Sequence, residues 1–458
     1  MAGGHAHTHG PPARDPHTGE DLVRVSALAR NALTAFLVLA AAATVFGLVR
    51  YWPGDAKTSQ KVAASDFAAP GVTFPVATVR SVLPLCPADA GGTPTGEGDG
   101  QGSGQQGGSV TCGALTVALE EAPDRSVPVS VPPAISTSGL QPGDRVQLLR
   151  IPAKDGNPES YSFLQVQRGA PLVLMFGLFV VVVAFVARLK GLLALVGLGF
   201  GGVIVVSFML PALLAGTPGL VVALIGSSAI MFVVLYLAHG LSIRTSTALA
   251  GTLFGVGITA VLGLVAVDAA RLSGVANDEA ATLASFVQTL SPRELLTCAI
   301  IVAGLGVLND VTITQSSAVW ELRAAAPSMG RVELFRSGMR IGRDHIASTI
   351  YTIVFAYAGA ALPVLLLLFI YERPVLDLLQ TESLAEEIVR TLASAIGLVL
   401  AVPVTTAIAA LTVGGDQPSR DVVPARIEPL PRPGHADTAA AWGPPLTRAD
   451  ARARARSR

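Results

Sequence analysis

The chain has 458 residues, 51% apolar and 14% charged, with a formal net charge of zero. An ordinary soluble domain carries about 25% charged residues. This composition therefore excludes a typical soluble enzyme and, lacking net positive charge, an electrostatic pull of the whole chain toward nucleic acid. Several runs reach the ~18–20 apolar residues that span a bilayer, so the chain reads as a polytopic helical membrane protein.

Residues 1–27 are polar, with His5, His7, His9 and His17. They read as a disordered cytoplasmic tail rather than a metal site. Arg14, Arg24 and Arg30 precede the apolar run Ala32–Val49. No small-x-small cleavage pattern follows it, so residues 28–51 read as an uncleaved anchor with the N-terminus inside.

Residues 52–168 are the one sizeable polar block. Pieces rich in Val, Thr and Leu predict strands at Val72–Arg80, Ser109–Leu119, Ser126–Val131, Asp144–Ile151 and Ser160–Val166. Gln141-Pro142-Gly143-Asp144 is a turn signal between two of them. Five short strands predict a small extracytoplasmic β-rich domain, OB-like in type. It lacks the aromatics and basic groove of a nucleic-acid binder, so its expected partner is an envelope component or another membrane protein. Half of residues 91–108 are glycine. Cys86 and Cys112 flank that loop; a disulfide between them would close it, and two free thiols are the alternative.

Residues 169–413 are mostly apolar, with spans expected near 170–188, 191–210, 218–238, 246–267, 293–314, 345–370 and 387–411. With the anchor this makes about eight. Arg188, Lys190, Arg244, Arg323, Arg331, Arg336, Arg340 and Arg343 fall in alternate loops. The other loops carry Asp268, Asp278, Glu279, Glu372, Asp377, Glu382 and Glu386. That asymmetry puts both termini in the cytoplasm and residues 52–168 outside. Glycines at 197, 199, 201, 202, 251, 255 and 257 mark close helix packing, since no strand–turn–helix context supports phosphate binding. Residues 414–458, ending in ARARARSR, read as a second disordered cytoplasmic tail.

The informative stretch begins at Ser291-Pro292-Arg293-Glu294, a helix start with a capping box. Its apolar part, Leu295–Leu308, covers about 21 Å of a ~30 Å core. The helix must therefore carry Asn309, Asp310 and Thr312 into the membrane. Asp310, Thr314, Ser317 and Glu321 share one helix face by spacing. A carboxylate at that depth faces either a polar path or a neighbouring arginine. A helix break is expected at Pro327–Gly330. Next comes a basic interfacial helix with Arg336, Arg340 and Arg343 on one face, then a re-entry at Asp344. Arg340 and Asp344 stand four apart, as an ion pair requires. Asp344, Ser348 and Thr352 share a face that would complete a polar seam with Asp310. No nucleophile–base pair, metal-ligand spacing or Walker lysine occurs, so neither enzyme activity, nor a metal, nor a cofactor is expected.

The stretch from Gly306 to Leu368 resembles the core of the YibE/F family of bacterial multi-pass membrane proteins. The resemblance rests on Leu334-Phe335-Arg336-Ser337-Gly338-Met339, Ile341-Gly342-Arg343-Asp344 and Ala356-Tyr357-Ala358-Gly359. It implies an integral location in a bacterial cytoplasmic membrane, and the family brings no catalytic residues to carry over. The glycine-rich loop and the C-terminal tail look like additions to it. The function this favours is permease-like movement of a small ion or solute. The alternative is a non-transporting scaffold whose outer domain binds an envelope partner. Oligomeric state is left open.

Overall fold

The computed structural model describes residues 25–54, 71–83, 113–153, 158–287, 289–371 and 374–413. The histidine tract, the loop holding Cys86 and Cys112, and the tail beyond Val413 lie outside them.

The anchor is helix α1, Ala27–Tyr51. The polar block forms β1 (Val76–Leu83), β2 (Ala114–Leu119), β3 (Ala122–Ser130), a short helix α2 (Pro133–Ser136), β4 (Arg145–Ile151) and β5 (Ser160–Val166). The sheet order is β3-β2-β1-β4-β5, antiparallel throughout. Alternate residues Ala77, Val79, Leu115, Val117, Val129, Val146 and Leu148 point into one buried core. β3 begins four residues before its expected start. Glu120 and Glu121 make a tight hairpin, and β3 is an edge strand, where Pro123 and Pro128 are tolerated.

The sheet curls so that β3 and β5 approach across its open side. Glu159, next to β5, ties them: it accepts from Arg125 of β3 at 3.1 Å and from Arg150 of β4. Arg125 also lies over the Tyr161 ring, 5.8 Å from its centroid. The Arg150 hydrogen bond holds the Glu159 carboxyl below the usual carboxylate range. A depressed carboxyl contributes stability above its unfolded pKa, ~4.3 for glutamate, and loses it as pH falls through the lower folded value. Hydrogen exchange on the intact protein should therefore show β5 amides losing protection below that pH. Glu159→Gln should lose it at neutral pH as well. Unchanged β5 protection in that variant would contradict the closure.

The apolar half forms α3 (Gly169–Ile204), which passes through a π-helical segment, Val205–Met209, into α4 (Leu210–Leu214). Then come α5 (Gly219–His239), α6 (Ile243–Ala269), α7 (Asp278–Phe286), α8 (Pro292–Ala303), α9 (Leu305–Ala325), α10 (Arg331–Ala360), α11 (Leu362–Ile370), α12 (Val375–Leu379) and α13 (Glu382–Thr412). Among the described residues six helical runs are long and apolar enough to cross a membrane, or seven if the pair α10–α11, bent by 63°, counts as one. The run Gly169–Leu214 has 46 residues, about 69 Å, more than twice the bilayer core. It does not run straight. Arg188 leaves the helical region at φ 54, ψ −140. A Cβ on Gly191 would lie 2.6 Å from Val183 Cγ1, eight residues earlier. No straight helix brings those positions together, so the chain folds back at Arg188.

The centre of the bundle is α6, α9 and α13, joined without room for side chains at their glycines. A Cβ on Gly251 would sit 1.9 Å from Thr405 Oγ1, one on Gly255 2.6 Å from Leu308 Cδ2, and one on Gly397 2.1 Å from Thr259 Oγ1. Gly197 and Gly201 meet α5 at ordinary contact distance, whereas Gly199, Gly202 and Gly257 face open space. Close approach replaces the hydrophobic drive that lipid removes. Gly251→Val should therefore destabilise the purified protein by roughly 1–3 kcal/mol or more, as overpacking does. Gly257→Ala should leave thermal unfolding in detergent unchanged.

Candidate intramembrane site

Helix α8 starts where the sequence places it. Ser291 Oγ accepts from the Glu294 amide at 3.4 Å. The reciprocal half of the expected capping box is absent: the Glu294 carboxylate instead accepts from the amide of Gly219 at the start of α5, at 2.6 Å. The helix is interrupted at Gly304 and continues as α9 to Ala325, so the polar residues do follow the apolar run as helix.

α9 has two polar faces. The buried one carries Thr312, Gln315, Ser316 and Arg323. Gln315 donates to the Gly338 carbonyl of α10 at 2.8 Å and to Thr406 Oγ1 of α13 at 2.7 Å. Thr312 meets Thr252 of α6 at 2.6 Å, and Ser316 donates to the Arg244 carbonyl at 2.8 Å. Arg323 closes the turn toward α10 through the carbonyls of Pro327 and Met329. This pinning role for Gln315 was not read from the sequence. Its signal is there: Leu308, Val311, Gln315, Val319 and Leu322 form one stripe at helical spacing, with a single amide among apolar residues.

The expected face, Asp310, Thr314, Ser317 and Glu321, lies outward. Ser317 is half-buried and the other three are exposed. The Asp310 side chain is 68% exposed, and its Oδ2 stands 3.9 Å from His345 Nε2 of α10. No arginine pairs with Asp310 among the described residues. Asp344 and Ser348 are exposed on α10. The group that reaches Asp310 is thus His345, one residue beyond Asp344. The expected Arg340–Asp344 ion pair does not form; Arg340 donates to Ser337 Oγ at 3.0 Å instead. His345 Nε2 and Asn309 Oδ1 are buried atoms without a hydrogen-bond partner among the described residues.

α10 corrects a second expectation. The basic segment and the following span are one helix, Arg331–Ala360, with no break at Asp344. The chain bends at Ala361 instead, where Pro363 in the first turn of α11 removes an amide donor. The helix stays straight past Asp344 because a change from basic to apolar composition alters its surroundings, not its backbone.

Sequence reasoning also counted Glu386 among loop acids. It lies inside α13, 8% exposed, and its Oε1, Arg390 Nε and Ser394 Oγ are buried atoms with no hydrogen-bond partner among the described residues. Arg390 donates to Glu387 Oε2 at 2.8 Å. Glu387, Thr391 and Tyr357 border a mostly apolar cleft of about 240 Å³ between α10–α11 and α13. Spacing at i, i+4 and i+8 was the available clue. Among the described residues no three His, Cys, Asp or Glu side chains are placed to hold a metal ion.

These features define a helical membrane protein in which a carboxylate on one helix stands beside an imidazole on the next. The model of one family, described as YibE/F-like protein, matches residues 175–415, more than half of the chain. The chain belongs to the YibE/F-like family. No curated protein and no solved structure matches it.

Gln315→Leu should separate the two polar faces by experiment. Removing the amide takes away the hydrogen bonds to Gly338 and Thr406 that tie three helices together, at about 0.5–1.5 kcal/mol each. The expected result is a lower unfolding temperature for the purified protein. Thr314→Ala, on the exposed face, should leave that temperature unchanged.

Proposed function

We propose that the protein is a permease-like, non-enzymatic membrane protein that passes a small ion or solute along the groove between α9 and α10. The observation that carries this reading is the Asp310–His345 pair. Leu295–Asp310 covers about 22 Å, which puts Asp310 some 8 Å short of the far edge of a ~30 Å core. A carboxylate there is expensive unless hydrated, paired or protonated, and such groups commonly mark ion or proton paths. Thr314 and Ser317 extend the polar surface on α9, and Ser348 and Thr352 extend it on α10. An imidazole offers one donor and one acceptor nitrogen, which suits it to such a path.

The fold reading that accompanies this has eight spans. The run Gly169–Leu214 counts as two because the chain reverses at Arg188, and α10–α11 counts as one. Both termini are then cytoplasmic, the basic loops stay inside, and residues 52–168 lie outside a bacterial cytoplasmic membrane. The outer domain is OB-like: its strand order, the β3–β5 approach and the helix between β3 and β4 suit a partly open five-stranded barrel.

Asp310→Asn should abolish flux in proteoliposomes, tested with protons, sodium and potassium, while insertion and unfolding temperature stay as in the parent protein. Undiminished flux in that variant would remove the groove from the mechanism. The scaffold alternative draws on the exposed Phe74, Ile151 and Leu164 of the outer domain. Crosslinking that traps a stable partner there, with no flux in vesicles, would favour it.

A further inference from the structure

A second set of exposed α10 side chains, adjoining the groove residues, carries a different chemistry. Arg336, Arg340, Arg343, Ala347, Tyr351 and Val354 follow one another at intervals of four, three, four, four and three residues. On a single unbroken helix that spacing makes one straight stripe. All six residues are exposed. None of the three arginines is in an ion pair among the described residues, although Glu333 and Asp344 are near in sequence. Arg340 donates to Ser337 Oγ at 3.0 Å, which holds its guanidinium in place and leaves its other N–H groups outward.

We propose that this stripe binds one anionic phospholipid, its phosphate on Arg336, Arg340 and Arg343 and an acyl chain along Ala347, Tyr351 and Val354. The dimensions suit that ligand. The arginines cover about 10 Å along the axis, comparable to one headgroup layer, and Arg343 to Val354 covers about 16 Å of the apolar layer. A basic helix lying flat in the interface would spread its charges over many headgroups. The continuity of α10 past Asp344 instead stands them in a column above a lipid-facing apolar strip. Guanidinium forks match phosphate oxygens, and among the described residues neither Glu333 nor Asp344 forms an ion pair with them. Other anionic molecules share the phosphate chemistry, but only a lipid also uses the Tyr351 and Val354 end of the stripe. The stripe shares no residue with the groove, so the assignment does not rest on the permease reading.

The test uses the full chain in a neutral detergent, with phosphatidylglycerol, phosphatidylcholine or inorganic phosphate added. Native mass spectrometry and thermal unfolding are the readouts. Phosphatidylglycerol should stay bound and raise the unfolding temperature, and neither phosphatidylcholine nor inorganic phosphate should do so. Each arginine near an anionic surface contributes about a fivefold factor in affinity. R336Q, R340Q and R343Q combined should thus weaken phosphatidylglycerol binding by roughly a hundredfold. Should the triple variant fail to fold, R343Q alone decides, with an expected loss of about fivefold. Undiminished phosphatidylglycerol binding in these variants, or an equal shift from inorganic phosphate, would overturn the assignment.

Discussion

The contact on which the membrane half depends is the approach of α6 to α13 at Gly251, Gly255 and Gly397. Thr405, Leu308 with Ala401, and Thr259 occupy the space where side chains would stand on Gly251, Gly255 and Gly397 respectively. Apolar burial gives little drive inside a bilayer, so helices associate by fitting closely and by bonding the polar groups they carry. Once α6 and α13 are this near, their shared groove accepts α9 through Leu308 and the Thr252–Thr312 pair. Gln315 then ties α9 to both α13 and α10. Gly338 and Gly342 leave no room for anything larger beside Val319, Val402 and the Gln315 amide. The placement of His345 beside Asp310 is the last consequence of that chain of contacts.

Because α9 spends its most buried polar side chains on holding the bundle, its remaining polar face is left outward. Among the described residues the one basic side chain near the Asp310 carboxylate is His345 of α10. α10 in turn divides its surroundings. One face presents the His345 imidazole to the Asp310 carboxylate, the adjoining exposed face carries three arginines, and the inward side holds Leu334, Ser337, Gly338, Gly342, Thr349 and Ile353. Such a helix puts two unlike polar surfaces at neighbouring depths, and among the described residues no ion pair links them.

Much of this was legible in sequence. All five strands were recognised, because Val/Thr/Leu runs bounded by turn residues report local chemistry. The Gln141–Asp144 turn forms as read, with Asp144 accepting from the Gln141 amide at 2.8 Å. The early start of β3 was hidden by Pro123, whose effect depends on the strand lying at an edge. That Asn309 and Asp310 continue the helix was also legible, since no breaker follows Leu308. What failed involved distant partners. Glu294 caps a helix 75 residues earlier, and Gln315 bonds across 23 and 91 residues. Asp310 pairs with His345 rather than Asp344 because the α9–α10 register is set by Gly338 and Gly342, which no local pattern encodes.

The central claim is that the α9–α10 groove is wet at membrane depth. Single cysteines at Thr314, Ser348 and Val354, placed in a chain whose native cysteines are replaced by serine, test it in membrane vesicles with a charged, water-soluble thiol reagent. The account predicts that the groove positions 314 and 348 react and that the lipid-facing position 354 does not. Equal inertness at all three would contradict it.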